Sequence, residues 1–259
     1  MNIKRILRLI FFLGIVILGY KYYQSTYNSD KNLTVNDPIL YKKGKGVKDI
    51  NGQNYKSITI NKQEWMSENL NVDRFRNGDI IPEVRSNEEW FDAGLNKQPA
   101  WCYYDNNSSN GKKYGKLYNW FAVNDQRGIA PKGWHVPKAT EWEKLFDFLG
   151  GYNSNEDKLK SNNINWEIHD KYCERCVDSN TYSRRKFSCP NDKSGFSGLP
   201  CGIRTKDGFY DYNVIGYWWS SSDYLVSLEW HRYLFYNGGA RCSYFINKEL
   251  GLSVRLIKD

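Results

Sequence analysis

The sequence predicts an α+β fold, with short helices in the first half of the folded part and antiparallel, hairpin-rich strands in the second. Two helix-capping patterns lie before residue 151. After Gly195, short aromatic and β-branched runs are separated by Gly, Asn and Asp, which is typical of β-hairpins. This order differs from the strict alternation of strands and helices that builds a parallel sheet.

The N-terminus has the layout of a secretory signal: residues 3–8 are rich in Lys and Arg, and Leu9 to Tyr20 form an unbroken apolar stretch. A helix of this stretch is about 18 Å long, shorter than the roughly 30 Å hydrocarbon core. Arg8 and Lys21 can lengthen the span because their side chains snorkel. No small-residue cleavage motif follows, so we expect an uncleaved signal-anchor over residues 1–23, with secretion after cleavage as the alternative.

Residues 24–46 are polar and lack periodicity, so we expect them to tether the membrane segment to a folded domain over 47–259 outside the cytoplasm. Most of the positive charge lies outside that domain. The whole chain has a net charge of +8, whereas residues 51–259 hold 28 basic and 26 acidic side chains, a net +2. A nucleic-acid-binding protein concentrates positive charge on its folded domain, so no nucleic-acid partner is expected.

The first elements predicted in the domain are a hairpin and a helix. Residues 47–60 contain Asn51-Gly52 between apolar-alternating segments. This predicts a β-hairpin, because a type I′ turn needs positive φ at both turn positions. Ser86 precedes Glu89 by three residues, a capping box that opens a short helix.

Two further helices are predicted before the strand-rich half. Residues 116–123 form a short candidate helix, and a second capping box begins at Thr140. Apolar residues then recur at the i, i+3, i+4, i+7 spacing of a helix face: Trp142, Leu145, Phe146 and Leu149. Gly150-Gly151 end this segment, so cap, apolar stripe and stop signal all indicate one helix.

Apart from its cysteines, the sequence offers no motif for catalysis or metal binding. The three histidines, His135, His169 and His231, belong to no H-E-x-x-H pair, and the chain has no nucleophile elbow or phosphate loop. We expect His135, which follows Trp134 in GWHVP, to be a packed core residue. We therefore expect no enzyme activity, no metal ion and no cofactor.

The cysteines favour structural disulfides, because the domain is expected outside the cytoplasm. The six are Cys102, Cys173, Cys176, Cys189, Cys201 and Cys242. We expect the middle four to pair among themselves, stapling a polar excursion over 167–193, and Cys102 and Cys242 to form a long-range bridge. The C-x-x-C at 173–176 leaves a metal site or a redox pair as alternatives.

Seven segments, which are spread over the whole of 47–259, follow one another in the order of a known family. They are VKDINGQNY at 47–55, QEWMSENLN at 63–71, YGKLYNWFAV at 114–123, APKGWHVPKATEWEKLFDFLGG at 130–151, SGFSGLPCGIR at 194–204, GYWWSSS at 216–222 and GLSVRLIKD at 251–259. They resemble the Fibrobacter succinogenes major paralogous domain (FISUMP) family of bacterial envelope proteins. The resemblance implies a C-type-lectin-like fold, export to the cell envelope and no established catalytic activity.

The chain departs from the family pattern in three places. It lacks the lipoprotein cysteine of many members, and Leu256 stands where members often have Cys. The cysteine-bearing stretch 167–193 looks specific to this protein. The second departure removes the basis for carrying over a family disulfide from that position.

The resemblance also implies a binding surface, because lectin-like folds display ligand-contacting side chains on their C-terminal hairpins. The candidates are Tyr217, Trp219, Asp223, Tyr224, Trp230, Arg232, Tyr236, Arg241 and Tyr244. Tyr, Trp and Arg dominate binding hot spots. Core packing is nevertheless the favoured interpretation for Trp218, Trp219 and Trp230. Packing and binding are equal alternatives for four others: Tyr224, Arg232, Tyr236 and Arg241. The calcium-dependent sugar motifs of lectins are absent, so no such binding is expected.

These expectations combine into a membrane-anchored, extracytoplasmic, lectin-like binding module of the cell envelope. Its partner would be a glycan, an envelope polymer or a surface protein, held by aromatic stacking and polar contacts. The alternative is a structural or adhesin-type envelope component without a discrete ligand pocket. The least favoured class is an enzyme related to the sulfatase-modifying group, which a cleft holding His135 or His231 beside an acid or a thiol would support.

Overall fold

The computed structural model describes residues 39–151, 156–163, 166, 191–225, 228–235 and 240–259, and gives the backbone alone for residues 156, 223–225, 228–233, 235 and 240–246. The folded unit spans Leu40–Asp259, so it begins inside the range expected to be a tether. The signal-anchor expected over 1–23 lies outside the described residues. Within the described ranges, no helix has the length and apolar character needed to cross a membrane.

Most of the regular structure is β. The strands, in chain order, are β1 (Lys42–Lys43), β2 (Val47–Lys48), β3 (Asn54–Tyr55), β4 (Ser57–Ile60), β5 (Gln63–Met66), β6 (Trp101–Cys102), β7 (Leu117–Tyr118), β8 (Trp134–His135), β9 (Cys201–Thr205), β10 (Gly208–Tyr212), β11 (Ile215–Leu225), β12 (Leu228–Phe235), β13 (Ala240–Asn247) and β14 (Ile257–Lys258). They form two five-stranded sheets and two two-stranded ladders, β2–β3 and β6–β7.

The first sheet has the spatial order β1-β4-β5-β14-β8 and is antiparallel throughout. Its inner strand β14 comes from the end of the chain. Ile257 pairs with Trp65 on one side and with His135 on the other. The last residues of the chain are therefore held beside His135, which matters for the site below.

The second sheet has the order β10-β9-β11-β12-β13. Neighbours are antiparallel except β9 and β11, which make a parallel contact between Gly202 and Gly216. A hairpin at Asp207-Gly208 joins β9 to β10, with Thr205 paired to Gly208. The second half of the chain is thus hairpin-rich β structure, as predicted.

The helices are short. They are α1 (Asn87–Leu95), α2 (Gly111–Tyr114), α3 (Trp120–Val123), α4 (Ala139–Phe148) and α5 (Glu156–Leu159). The capping box of α1 is confirmed, because Ser86 Oγ accepts the Glu89 N–H at 3.1 Å and the Glu89 carboxylate accepts the Ser86 N–H. Helix α4 is also confirmed, but its N-cap is Lys138 and not Thr140.

The mixed α and β class is confirmed, but the first half of the chain is less helical than predicted. Strands β1–β8 all lie there, and of residues 116–123 only α3 is helical. Most of these strands have only two residues, which is too short for an alternating pattern to be detected. The hairpin β2–β3 is confirmed, although Gly52 alone of the two predicted turn residues has positive φ, at 85°.

The segment 251–257 is buried along its whole length and connects both sheets to the core. It makes isolated backbone bridges to three other segments: Gly251 to Arg204, Leu252 to Tyr118 and Ser253 to Trp218. Trp218 and Trp219 are buried among these core residues, which confirms the packing interpretation for both. The side chain of Trp230 lies outside the described atoms.

A buried polar network surrounds Arg255 in this segment. The Arg255 side chain is fully buried, and its Nε donates to Asn69 Oδ1 at 2.7 Å. The same oxygen accepts from Trp218 Nε1 at 2.9 Å. The other guanidinium contacts are to backbone carbonyls: Met66, Phe196 and Ser197. Burial lowers the pKa of Arg255 to about 10, so the group stays charged at neutral pH.

The disulfide expectation is wrong for the two cysteines whose side chains are described. Cys102 and Cys201 are free, buried thiols. Cys102 fills an apolar cluster with Trp90 and Leu117, whereas Cys201 accepts from Asn69 Nδ2 at 3.1 Å. Burial raises the pKa of Cys201 to about 11 and that of Cys102 further. The remaining positions, Cys173, Cys176, Cys189 and the side chain of Cys242, lie outside the described atoms.

Candidate functional site

His135 lies between two carboxylates at the edge of the first sheet. Strand β8 presents it to β14, and its Nδ1 is 2.7 Å from Asp259 Oδ1. Its Nε2 is 3.0 Å from Glu141 Oε2. Glu141 is the third residue of α4, and its carboxylate also accepts the Lys138 N–H at 2.8 Å. The helix cap and the sheet edge together fix the imidazole in one orientation.

This geometry favours the imidazolium form of His135. The hydrogen bond to Glu141 is the largest cause that raises the pKa of His135, the bond to Asp259 adds to it, and burial opposes both. An ionised carboxylate has no proton to donate and therefore only accepts hydrogen bonds. Each ring nitrogen of His135 must then carry a proton in order to donate to its carboxylate. Neither nitrogen is then free to act as a general base. The sequence favours a packed, hydrogen-bonded core position for His135: the hydrogen bonds are present, but the core position is wrong, because the side chain is 33% exposed.

A cleft of about 560 Å³ opens beside His135. Its walls include Arg76, Trp134, Lys138, Ser221 and Asp259. The Ser221 hydroxyl donates to the Val136 carbonyl at 2.7 Å, so it already has a partner. The cleft therefore offers cationic and apolar surface, and its hydroxyl and imidazole are both engaged by the protein itself.

A second cavity of about 210 Å³ lies next to the cleft and shares Arg76, Ile129 and Ala130 with it as walls. The charged residues that line it are Lys48, Asp49, Arg74, Arg76 and Lys132. Apolar side chains complete it: Ile50, Val72, Ile129, Ala130 and Pro131. We call the two cavities together the basic groove.

The acidic side chains of the basic groove are engaged by internal partners. Asp49 is buried and accepts from the Tyr55 hydroxyl at 2.7 Å and the Gln53 N–H at 2.9 Å. Asp259 is bound by His135. Neither carboxylate pairs with the five Lys and Arg side chains that line the groove.

Those five cations are exposed and lack ionic partners. They are Lys48, Arg74, Arg76, Lys132 and Lys138. Within the described residues, none of them makes an ion pair. Arg74 alone uses its side chain, donating from Nη1 to the Gly78 carbonyl at 2.9 Å. The groove thus presents an uncompensated positive rim.

Eight of the nine sequence-predicted binding residues lie on β11, β12 and β13 of the second sheet, and the two whose side chains are described are not exposed. Trp219 is fully buried and donates from Nε1 to the Tyr118 carbonyl at 2.7 Å. Tyr217 is half-buried, with its hydroxyl 2.7 Å from Asp211 Oδ2. The side chains of Asp223, Tyr224, Trp230, Arg232, Arg241 and Tyr244 lie outside the described atoms, and Tyr236 lies outside the described residues.

Sequence reasoning missed the basic groove because its cations come from three separate segments. Lys48 lies on β2, Arg74 and Arg76 follow β5, and Lys132 and Lys138 flank β8. The one usable local signal was the pair Arg74 and Arg76, since residues two apart in an extended chain share a side. The groove reaches β11 at Ser221. This residue lies two positions before Asp223, which belongs to the binding surface predicted from the sequence.

Comparison with known proteins gave one match. The sequence model of a family described as the Fibrobacter succinogenes major domain matches residues 58–258. A search of curated proteins and a search of solved structures each found no match. The matched range includes both five-stranded sheets except β1 and Ser57 of β4, and all of the basic groove except Lys48, Asp49, Ile50 and Asp259.

Proposed function

The chain belongs to the Fibrobacter succinogenes major domain family, and we propose that it is a non-catalytic binding module of the cell envelope. In this proposal residues 1–23 anchor it in the membrane and the domain lies outside the cytoplasm. It recognises a glycan, an envelope polymer or a protein partner. The proposal includes a C-type-lectin-like fold, in which the hairpins of β11–β13 carry ligand contacts.

The observation that carries the proposal is the basic groove. It is an open cleft with five exposed cations that make no ion pair among the described side chains, and the imidazole and hydroxyl of the cleft are engaged by other groups of the protein. His135 has a carboxylate at each ring nitrogen, and the Ser221 hydroxyl donates to a carbonyl. A site that offers charge and apolar surface without a free base or nucleophile supports binding better than chemistry.

The hairpins of the second sheet remain the second part of the predicted binding surface. Strand β11 is held at its base by Trp218 and Trp219, which are fixed in the core by hydrogen bonds from their indole nitrogens. From Ser221 onward the same strand leads to Asp223 and Tyr224. A rigidly held base is what a protein needs to present contact residues in one geometry.

An enzyme is the second candidate, because His135 does lie in a cleft beside two acids. That arrangement satisfies the condition set from the sequence for catalysis. The two described thiols, Cys102 and Cys201, are buried with raised pKa values and give this candidate no nucleophile. A structural envelope component without a ligand is the remaining alternative.

The test is a ligand array of glycans, envelope polymers and bacterial surface proteins, probed with the full-length chain in detergent. We expect specific ligands, and we expect Tyr224→Ala with Tyr236→Ala to reduce their binding. Tyr210→Ala is the matched control, because Tyr210 is 47% exposed on β10 and lies outside the groove and the β11–β13 hairpins. A chain that is folded but binds nothing on the array would contradict the proposal.

A further inference from the structure

We propose that the basic groove binds a carboxylate-bearing polysaccharide, an inference that rests on the proposed binding function and specifies its ligand. The site is the rim formed by Lys48, Arg74, Arg76, Lys132 and Lys138 over an apolar floor. The two parts of the groove recognise different parts of one ligand. Carboxylates meet the rim, and the apolar faces of the sugar rings lie on the floor.

The rim is positioned by the backbone and not by loose surface loops. Phe75 is fully buried between Arg74 and Arg76. The Arg76 N–H donates to the Gly128 carbonyl at 2.7 Å, and the Phe75 N–H donates to the Asp79 carbonyl at 2.9 Å. Because this segment is fixed on both sides, two guanidinium groups are presented from a rigid element. Guanidinium matches the planar geometry of a carboxylate and binds it in a bidentate manner.

The Arg76 guanidinium lies against Gly128. A Cβ built on Gly128 would be 2.6 Å from Arg76 Nη2, and the φ of Gly128 is +74°. The positive φ favours glycine at this position, and the guanidinium occupies the space that a Cβ would take. The absence of a side chain there lets the guanidinium lie at the junction of the two cavities, where it borders both parts of the groove.

The floor favours a polysaccharide over a free anion. The contact surface of the floor is the side chain of Ile50, which is 47% exposed. Val72, Ile129 and Ala130 line the groove from the core and are at most 8% exposed, so they support the floor and add little contact surface. A small anion would use the rim and leave the apolar surface in water, whereas a ring with one apolar face covers it. A groove of about 560 Å³ on one side of Arg76 and about 210 Å³ on the other accommodates a chain of rings.

The charge pattern disfavours a nucleic acid as the occupant. The folded part of the chain is near neutral, with 28 basic and 26 acidic side chains in residues 51–259. Single-stranded nucleic acids also need exposed aromatic faces for base stacking. The aromatic residue that lines the groove, Trp134, is only 6% exposed.

The experiment measures binding of fluorescent oligogalacturonate to the full-length chain in detergent, with three competitors of similar length: a neutral dextran oligomer, polyglutamate and an oligonucleotide. The groove variant is Lys48→Gln with Lys132→Gln. The matched control is Lys112→Gln with Lys144→Gln, which removes the same charge from exposed lysines outside the groove. Urea unfolding of each variant reports its folding separately from its binding.

We expect oligogalacturonate to bind about tenfold more weakly to the groove variant, since two exposed charge contacts are lost. The control should bind as wild type does, and added NaCl should weaken binding to the wild type. Equal, salt-independent binding of dextran would overturn the acidic ligand and leave the proposed function standing. Tighter binding of polyglutamate or of the oligonucleotide would overturn the polysaccharide. If the protein binds an array ligand but none of these probes, the polysaccharide inference is refuted and the proposed function stands. If it binds nothing on the array, the inference and the proposed function are both refuted.

Discussion

Two sets of cations in this protein have opposite environments. Arg255 and Lys116 are buried in the core, where Arg255 is surrounded by carbonyls and Lys116 Nζ donates to the Asn71 carbonyl at 2.6 Å and lies 4.3 Å from the Trp101 ring centre. The five cations of the basic groove are exposed and have no ionic partner within the described residues. Burial lowers the pKa of both core cations, although nearby acidic groups oppose this shift at each of them.

The difference separates a structural use of charge from a binding use. A buried charge costs several kcal/mol in lost hydration, so it persists only where hydrogen bonds replace the water. Arg255 fulfils that condition with one side-chain oxygen and three carbonyls. The groove cations keep their hydration and stay available to a ligand. Substitutions in the first set should therefore reduce stability, and substitutions in the second should reduce binding.

The largest effect is expected for Arg255→Met. It leaves Asn69 Oδ1 with one donor fewer and three buried carbonyls without this partner, which we expect to lower the free energy of unfolding by about 3–5 kcal/mol. Urea denaturation measures the change. Arg255→Lys is a milder variant, because it keeps the charge but loses the planar guanidinium with its several donors. A loss below about 1 kcal/mol would show that the network is not structural.

A smaller effect is expected for Asn69→Ala, which removes the acceptor shared by Arg255 Nε and Trp218 Nε1. Two buried donors lose one partner, so we expect a loss of about 2–3 kcal/mol. The matched control is Asn51→Ala, because Asn51 is exposed and its side chain bonds only to Asp73 among the described residues. If Asn51→Ala lowered the free energy of unfolding as much as Asn69→Ala does, the buried network around Arg255 would have no special role in stability.

His135 is intermediate, being partly exposed and ion-paired. Its pKa is raised in the folded state, so its stabilising contribution is complete below the unfolded value of about 6.5 and is lost as pH rises through the higher folded value. Between pH 6 and pH 9 the wild type should lose at most about 1 kcal/mol more stability than His135→Gln. If the two proteins had parallel profiles of stability against pH, the bonds of His135 to Glu141 and Asp259 would not stabilise the fold.

The smallest effect on stability is expected for the groove itself. Lys48→Gln with Lys132→Gln should change the free energy of unfolding by less than about 0.5 kcal/mol, because neither ammonium group has a partner within the described residues. Urea denaturation at two salt concentrations checks this. A clear loss of stability would mean that these lysines support the fold. It would contradict the distinction between stabilising cations in the core and ligand-binding cations in the groove.

Local sequence signals were enough for the elements that are stabilised locally. Ser86 and Glu89 cap α1 through contacts three residues apart, and α4 follows from its apolar stripe. The N-cap of α4 moved from Thr140 to Lys138, because the Glu141 carboxylate bonds to the Lys138 N–H. Such a shift of two residues leaves the helix prediction intact.

Long-range features could not be predicted. Strand β14 enters the middle of the first sheet from the far end of the chain, and a strand of two residues has no period to detect. The sequence does not show that Arg255 is buried. Three of its hydrogen-bond partners are backbone carbonyls, which cannot be identified from residue types. The basic groove exists only once β2, the Arg74–Arg76 segment and β8 are brought together.

The separation of the two cation sets is tested most directly by thermal unfolding with and without oligogalacturonate, for wild type, Asn69→Ala and the groove variant. At 100 times Kd the wild-type Tm should rise by roughly 5–10 °C. Asn69→Ala should unfold at a lower temperature but show the same rise. The groove variant should unfold as wild type does without ligand and show about half the rise at the same ligand concentration. An undiminished rise in the groove variant, or a lost rise in Asn69→Ala, would contradict the account.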